Sequence, residues 1–259
     1  MRDKFACVNP FDRLQLDFEL PTLTYAREIA RYAWVVYWRN LGMLAFVTAV
    51  TVLPFEYLTS YLWAPFSIEH ETLAVKAVYV GSMLLVGIMG TLMIPVTTHN
   101  LIGWMRTGEN PPLRESFNFG IDLWPRTVWI RTVAGLGVAG AGLLLVVPGI
   151  LLWYSWLFAE VIVAVENVTD VRDILRRSSE LTKGYRMDMC VAMFLAGIPF
   201  AVLGWGTDYL NRTFPHWAVD ASLSTVTAIA NQYFVCLVLV CYLDRRRHEE
   251  AAIAFHAGA

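Results

Sequence analysis

One acidic residue stands out by its surroundings. Glu160 sits in Trp156-Leu157-Phe158-Ala159-Glu160-Val161-Ile162, an otherwise apolar run. A carboxylate in hydrocarbon is costly unless protonated or paired, so it usually faces a cavity or the interior of a bundle. Proton-coupled or substrate-binding chemistry is one reading. The others are a protonated Glu160 bonded to a neighbouring helix, or a helix shifted toward the interface. Upstream, Val147-Pro148-Gly149 interrupts the same apolar stretch. Pro148 has no amide proton and Gly149 accepts left-handed dihedrals, so together they read as a helix-ending turn. A broken helix beside a buried acid is the arrangement that small transporters use to hold a substrate.

A second constellation is basic. Arg172, Arg176, Arg177 and Lys183 lie on the polar face of segment 169–184. Such a face suits anionic lipid head groups or a partner protein. It also suits a solvated connector whose charges only fix topology. Val171, Ile174, Leu175, Ser178 and Leu181 form the opposite face at helical spacing, with Thr169 or Asp170 as cap and Gly184 as stop. An earlier segment, 104–126, has a similar plan: Asn110 as cap, Pro111 in the first turn, Leu113 and Phe117 inward, Gly120 after the end. Glu109-Asn110 and Glu166-Asn167 open the two segments alike, which hints at a duplicated half.

Other chemistry is sparse. His99 stands with Thr97, Thr98 and Asn100, where it either lines a vestibule or closes a helix. Glu56, just after Pro54, reads as interfacial. The five histidines show no metal-ligand spacing, and Cys7, Cys190, Cys236 and Cys241 form no CxxC pair. There is no glycine-rich phosphate loop, and no catalytic residue, metal or cofactor is expected. Asn211-Arg212-Thr213 matches a glycosylation sequon whose use is not expected. Gly135, Gly137, Gly140 and Gly142 crowd one run, where small residues let helices approach closely in lipid or line a pathway with backbone.

The elements that must position these residues are membrane helices. Of 259 residues, 57% are hydrophobic and 16% charged, and the mean hydropathy is +0.49. A soluble domain carries about a quarter charged residues, so an ordinary soluble enzyme is excluded. The net charge of −2 argues against a nucleic-acid binder. A bilayer core asks for about 20 apolar helical residues, and the runs are 41–62, 74–101, 132–165, 189–209 and 221–243. Splitting 132–165 at the turn 147–150 gives two short arms. They form either two crossings, the reading preferred here, or a re-entrant hairpin. The fold class is therefore all-α: a polytopic bundle of about six membrane helices over 41–243, with an N-terminal segment 1–40 and a tail 244–259.

Charge sets the orientation. Eighteen of the twenty Lys and Arg residues fall before the first run, between the second and third, between the third and fourth, or after the last. Lys76 and Arg212 alone lie on the other face. By the positive-inside rule both termini are cytoplasmic, in an inner or plasma membrane. The first 40 residues carry charges throughout and lack a signal-peptide core. Thr22 to Asn40 instead places Leu23, Ala26, Ile29, Ala30, Ala33, Val36 and Tyr37 on one face and Arg27, Glu28 and Arg31 on the other, as an interfacial helix leading into the membrane.

Val147-Pro148-Gly149-Ile150, Glu166, Leu175-Arg176-Arg177-Ser178, Leu181-Thr182-Lys183-Gly184 and Tyr242-Leu243-Asp244-Arg245-Arg246 also carry a family resemblance. In this order they resemble the membrane domain of glycerophosphodiester phosphodiesterases and its YciC-like relatives, multi-helix membrane proteins of prokaryotes. The likeness covers 143–184 and the carboxyl end, and Glu160 departs from a stretch that is apolar in the family. Where that domain is fused to a phosphodiesterase, the chemistry belongs to a separate soluble barrel of about 200 or more residues, for which this chain has no room. The expectation is a non-enzymatic scaffold or accessory subunit that engages membrane lipids or a partner protein through its amphipathic helices. The alternative is a small transporter or lipid-translocating protein working at Pro148-Gly149 and Glu160.

Overall fold

A computed structural model describes residues 22–63, 73–166 and 168–257. Arg2, Lys4, Cys7 and Arg13 of the N-terminal segment, and Asn167, lie outside the described residues. All regular structure among the described residues is helical: α1 (Thr22–Arg39), α2 (Leu41–Thr51), α3 (Leu53–Trp63), α4 (Leu73–Gly90), α5 (Met93–Thr107), α6 (Leu113–Leu144), α7 (Val146–Ser155), α8 (Ala159–Val165), α9 (Val171–Thr182), α10 (Arg186–Thr213) and α11 (Trp217–Ala257). Among the described residues five helical stretches are long and apolar enough to cross a membrane, and six if the bent pair α1–α2 counts as one span. The chain is thus a membrane-embedded helical bundle.

The amphipathic pattern of α1 is realised by packing. Tyr25, Ala26, Ile29, Ala33, Val36 and Tyr37 are buried against α10 and α11, while Leu23 stays 66% exposed and outside that face. The axis then turns by 73° into α2. The expected run 41–62 is two helices in series, because Pro54 in the first turn of α3 has no N–H to continue the ladder across Val52.

Three expected boundaries move. The second run does not close at His99: α5 continues to Thr107 and ends on Gly108, whose φ of 80° only glycine adopts cheaply. Segment 104–126 is no separate connector, since α6 starts at Leu113 and runs 32 residues through it. Gly120 therefore lies inside a helix, pressed against the Val96 side chain, and the suggested duplication finds no counterpart in α9, a separate 12-residue helix. The tail 244–259 is likewise a continuation, as α11 runs unbroken to Ala257.

The hairpin turn also moves. Leu145 alone is extended, at φ −157° and ψ 135°, and the chain reverses there. Pro148 and Gly149 fall in the first turn of α7, where a proline costs no intrahelical bond. Gly149 serves close approach: a Cβ there would stand 2.8 Å from the Gly142 Cα.

Candidate functional site

The antiparallel register of α6 and α7 builds the site. The pairing that sets Gly149 against Gly142 also carries Glu160, just beyond α7, level with Arg131 on α6. Arg131 Nη1 lies 3.5 Å from Glu160 Oε1, with the side chains 54% and 28% exposed. Arg131 thus lies inside the bundle's long sixth helix, beside the acid that the sequence left without a partner.

That ion pair faces a cavity of about 1040 Å³ between α6–α8 on one side and α10–α11 on the other. Arg131 and Glu160 are its charged lining residues; Val138, Ala139, Phe194, Ile198, Ala201 and Val238 are typical of the rest. The concavity follows from small side chains on facing helices. Gly135 and Gly197 line the wall, and a Cβ at either would meet nothing within 4 Å. Gly137 differs, since a Cβ there would meet the Trp156 ring at 2.5 Å. The glycine-rich run therefore divides between lining and packing. Phe194 is 70% and Ile198 50% exposed, so the cavity opens sideways, toward lipid. Half-buried Cys190 lines it together with Tyr154.

The break next to Glu160 is not at Pro148-Gly149. It lies at Trp156–Phe158, between α7 and α8. Ser178 of α9 occupies it: its hydroxyl donates to the Ser155 carbonyl at 2.9 Å and accepts from the Phe158 N–H at 3.1 Å. A span broken at this depth needs such partners for its freed backbone groups, so the amphipathic segment expected only at the surface also repairs a helix.

The basic residues of α9 part company. Asp170 caps the helix by accepting from the Arg172 N–H at 2.7 Å. Arg172 and Lys183 are exposed, and Arg176 is 72% exposed beside Asp173 and Glu180. Arg177 is instead turned inward. Its Nε donates to Glu166 at 3.3 Å, and Nη1 and Nη2 form a bidentate pair with Glu249 of α11. Those bonds, the one to Glu249 foremost, hold the Arg177 guanidinium above its ordinary range. Glu166 also accepts from the Tyr242 hydroxyl at 2.8 Å.

A buried polar group that sequence reasoning passed over adjoins this clamp. Asp244 is fully buried and accepts from the Tyr25 hydroxyl at 2.5 Å. Arg245, 3% exposed, donates to the same hydroxyl at 2.6 Å and to Asp244 at 3.2 Å, with Tyr185 stacked against it. Its sequence signal is Tyr242-Leu243-Asp244-Arg245-Arg246, in which three charges follow an apolar run.

His99 and Asn100 neither line the cavity nor cap a helix end. They meet Ser116 of α6 at 3.1 and 2.9 Å. At the opposite end Asp220 accepts from Ser60 and Asn211, so the sequon asparagine is an interhelical contact. No group of three or more His, Cys, Asp or Glu suited to a metal occurs among the described residues. No family model, no curated protein and no solved structure matches the chain.

Proposed function

We propose that this protein is a non-enzymatic membrane protein that takes an amphiphile from the bilayer into its lateral cavity, as a small transporter or lipid-translocating protein does. The observation that carries the reading is the union of an ion pair and an apolar wall in one laterally open cavity of about 1040 Å³. That size lies at the upper end for small-molecule sites, about 300–1,000 Å³. The charged mouth stands at the basic end of the bundle, which the positive-inside rule places in the cytoplasm together with both termini. The likeness to the phosphodiesterase membrane domain fits this reading and brings no enzymatic activity with it.

Filling the cavity tests it. Gly135→Leu and Gly197→Leu introduce side chains where nothing stands within 4 Å, so the bundle should fold while the site is occluded. Native mass spectrometry from nanodiscs should then show loss of retained lipid. Unchanged retention in the double variant would dismiss the cavity as a site.

A second reading rests on the exposed face of α9. Arg172, Arg176 and Lys183 remain at the surface and would engage anionic head groups or a partner protein, in the manner of an accessory subunit. Arg177 leaves this set because Glu166 and Glu249 hold it. Changing the three exposed residues to Gln should lower recovery of anionic lipid or a companion protein; equal recovery would remove this surface from the function.

A further inference from the structure

We infer that the occupant of the cavity is a zwitterionic amphiphile, its phosphate on Arg131 and its ammonium on Glu160. The inference rests on the cavity reading above and names the substrate class. Arg131 and Glu160 satisfy each other at 3.5 Å when no ligand separates them. In a site walled by apolar side chains, drawing one partner away leaves the other charge without a counter-charge among the lining residues. An anionic head group would claim Arg131 and strand Glu160. A cationic one would do the reverse. A head group carrying both signs inserts between them and leaves each charge matched, with no net charge added to the site.

The placement of the pair agrees. Arg131 is the lining residue of α6 nearest the basic end, and the apolar wall continues from it to Ala139, about 12 Å at 1.5 Å per residue. On α10 the lining runs from Cys190 to Ala201, about 16 Å. The charged mouth therefore lies at head-group level and the apolar remainder at acyl level, the orientation of a phospholipid in one leaflet.

The test compares retained lipids by native mass spectrometry, from nanodiscs holding equal phosphatidylethanolamine and phosphatidylglycerol. The unmodified protein should retain the zwitterionic lipid over the anionic one by about tenfold, which is about 1.4 kcal/mol. Glu160→Gln frees Arg131 and should reverse the preference, whereas Arg131→Gln should lower retention of both. Equal retention of the two lipids, still abolished by Gly135→Leu with Gly197→Leu, would overturn this inference and leave the cavity reading standing. Retention indifferent to cavity filling would sink both. The comparison on the unmodified protein decides even if a charge variant fails to fold.

A different observation carries a second inference: we infer that the α6–α7 hairpin enters and leaves the bilayer from the same face. Its tip is exposed and wholly apolar, with Leu143 at 89%, Leu144 at 82%, Leu145 at 66%, Val146 at 70% and Val147 at 66%. Such a surface belongs in hydrocarbon. Both arms are long enough to cross by length alone, but with Arg131 at head-group level the rise from it to Leu145 is about 21 Å, short of a core about 30 Å thick. At the turn Leu145 N–H bonds the Ala141 carbonyl, Gly149 N–H bonds the Leu145 carbonyl and Pro148 has no N–H, which leaves the Val146 and Val147 N–H groups as the donors outside the helical ladder. In a protein freed of its native cysteines, a membrane-impermeant maleimide should label Phe214→Cys from outside and leave Leu145→Cys unlabelled from either face. Both positions are exposed on the protein surface, so shielding by protein cannot explain the difference. Labelling of Leu145→Cys from outside at the rate of Phe214→Cys would show a full crossing instead.

Discussion

At the basic end, Arg177 ties the close of α8 to the extension of α11, and Tyr25 ties α1 to Asp244 and Arg245. Across the α6–α7 hairpin the facing residues, from Ala134 to Leu144 and from Val146 to Trp153, offer no polar side chain except one indole. The first region is held by short, directional, charge-assisted bonds that tolerate one geometry. The second is held by van der Waals contact between small residues, and in lipid there is no hydrophobic drive to keep two apolar helices together. The cavity lies between these regimes, its far wall on the anchored helices α10 and α11 and its near wall on the hairpin. A rigid frame facing a compliant wall is an arrangement that can admit a guest sideways.

The comparison breaks most severely at Arg245. Replacing it by Met takes the arginine from the fully buried Asp244, which keeps the Tyr25 hydroxyl at 2.5 Å and has His248 at 3.7 Å, and losing one partner of a buried pair costs about 3–5 kcal/mol. Equilibrium unfolding in mixed micelles should register that loss. Replacing Asp244 by Asn as well should restore part of it, because the stranded charge is then gone. A single-variant loss below about 1 kcal/mol, the range of exposed pairs, would mean that this end is no more rigid than the hairpin.

How far the sequence reached follows from the same contrast. The membrane class, the amphipathic faces of α1 and α9, the Asp170 cap and the stop at Gly184 all depend on local spacing, and spacing is what a sequence displays. The pairing of Glu160 with Arg131 is not legible locally, because Arg131 precedes the apolar run 132–165 and reads as part of a connecting segment, whereas α6 runs unbroken through it from Leu113. Pro148-Gly149 suggests a turn on local chemistry, yet the reversal falls at Leu145, because proline fits the first turn of a helix as well as the end of one. Nor could composition say that Arg177 would turn inward. Its partner Glu249 is 72 residues away, on what reads as a polar tail.

The hairpin side of the contrast is sharpened by Gly149→Leu. The new Cβ would stand 2.8 Å from the Gly142 Cα, backbone that cannot yield as a side chain would. Overpacking of this kind costs about 1–3 kcal/mol. If the hairpin is the compliant wall, part of the strain is relieved by the two helices moving apart. Unfolding should then shift by less than in Arg245→Met, while Gly149→Ala, which places the same Cβ against Gly142, should reproduce the spreading as weaker protection in hydrogen exchange across 138–152. A loss as large as that of Arg245→Met would show the hairpin to be stiff.

Ser178→Ala probes the seam where the two regimes meet. The hydroxyl is buried and serves both the Ser155 carbonyl and the Phe158 N–H. Without it two backbone groups in a broken span lose their partner, and a buried unsatisfied group costs about 1–3 kcal/mol. Thr182 also reaches the Ser155 carbonyl, at 3.5 Å, and can recover part of the acceptor's loss, so about 1 kcal/mol is expected. Because Glu160 stands in the first turn of α8, loosening this seam should also weaken lipid retention. Retention unchanged alongside a clear stability loss would separate the repair of the helix from the cavity's work.

The smallest effect is expected at Arg176→Gln. Arg176 is 72% exposed, with Asp173 at 3.0 Å and Glu180 at 3.9 Å on the same turn of helix. Exposed pairs at this spacing contribute about 0.3–0.5 kcal/mol, so unfolding should hardly move. Its neighbour Arg177 has the same charge and sits one position further along, yet Arg177→Gln removes the bidentate pair to Glu249 and the bond to Glu166, and should cost about 2 kcal/mol, below a fully buried pair because all three side chains keep some exposure. Two adjacent arginines with such unequal losses would place the boundary between the clamp and the solvated face of α9 within a single residue, and equal losses would erase it.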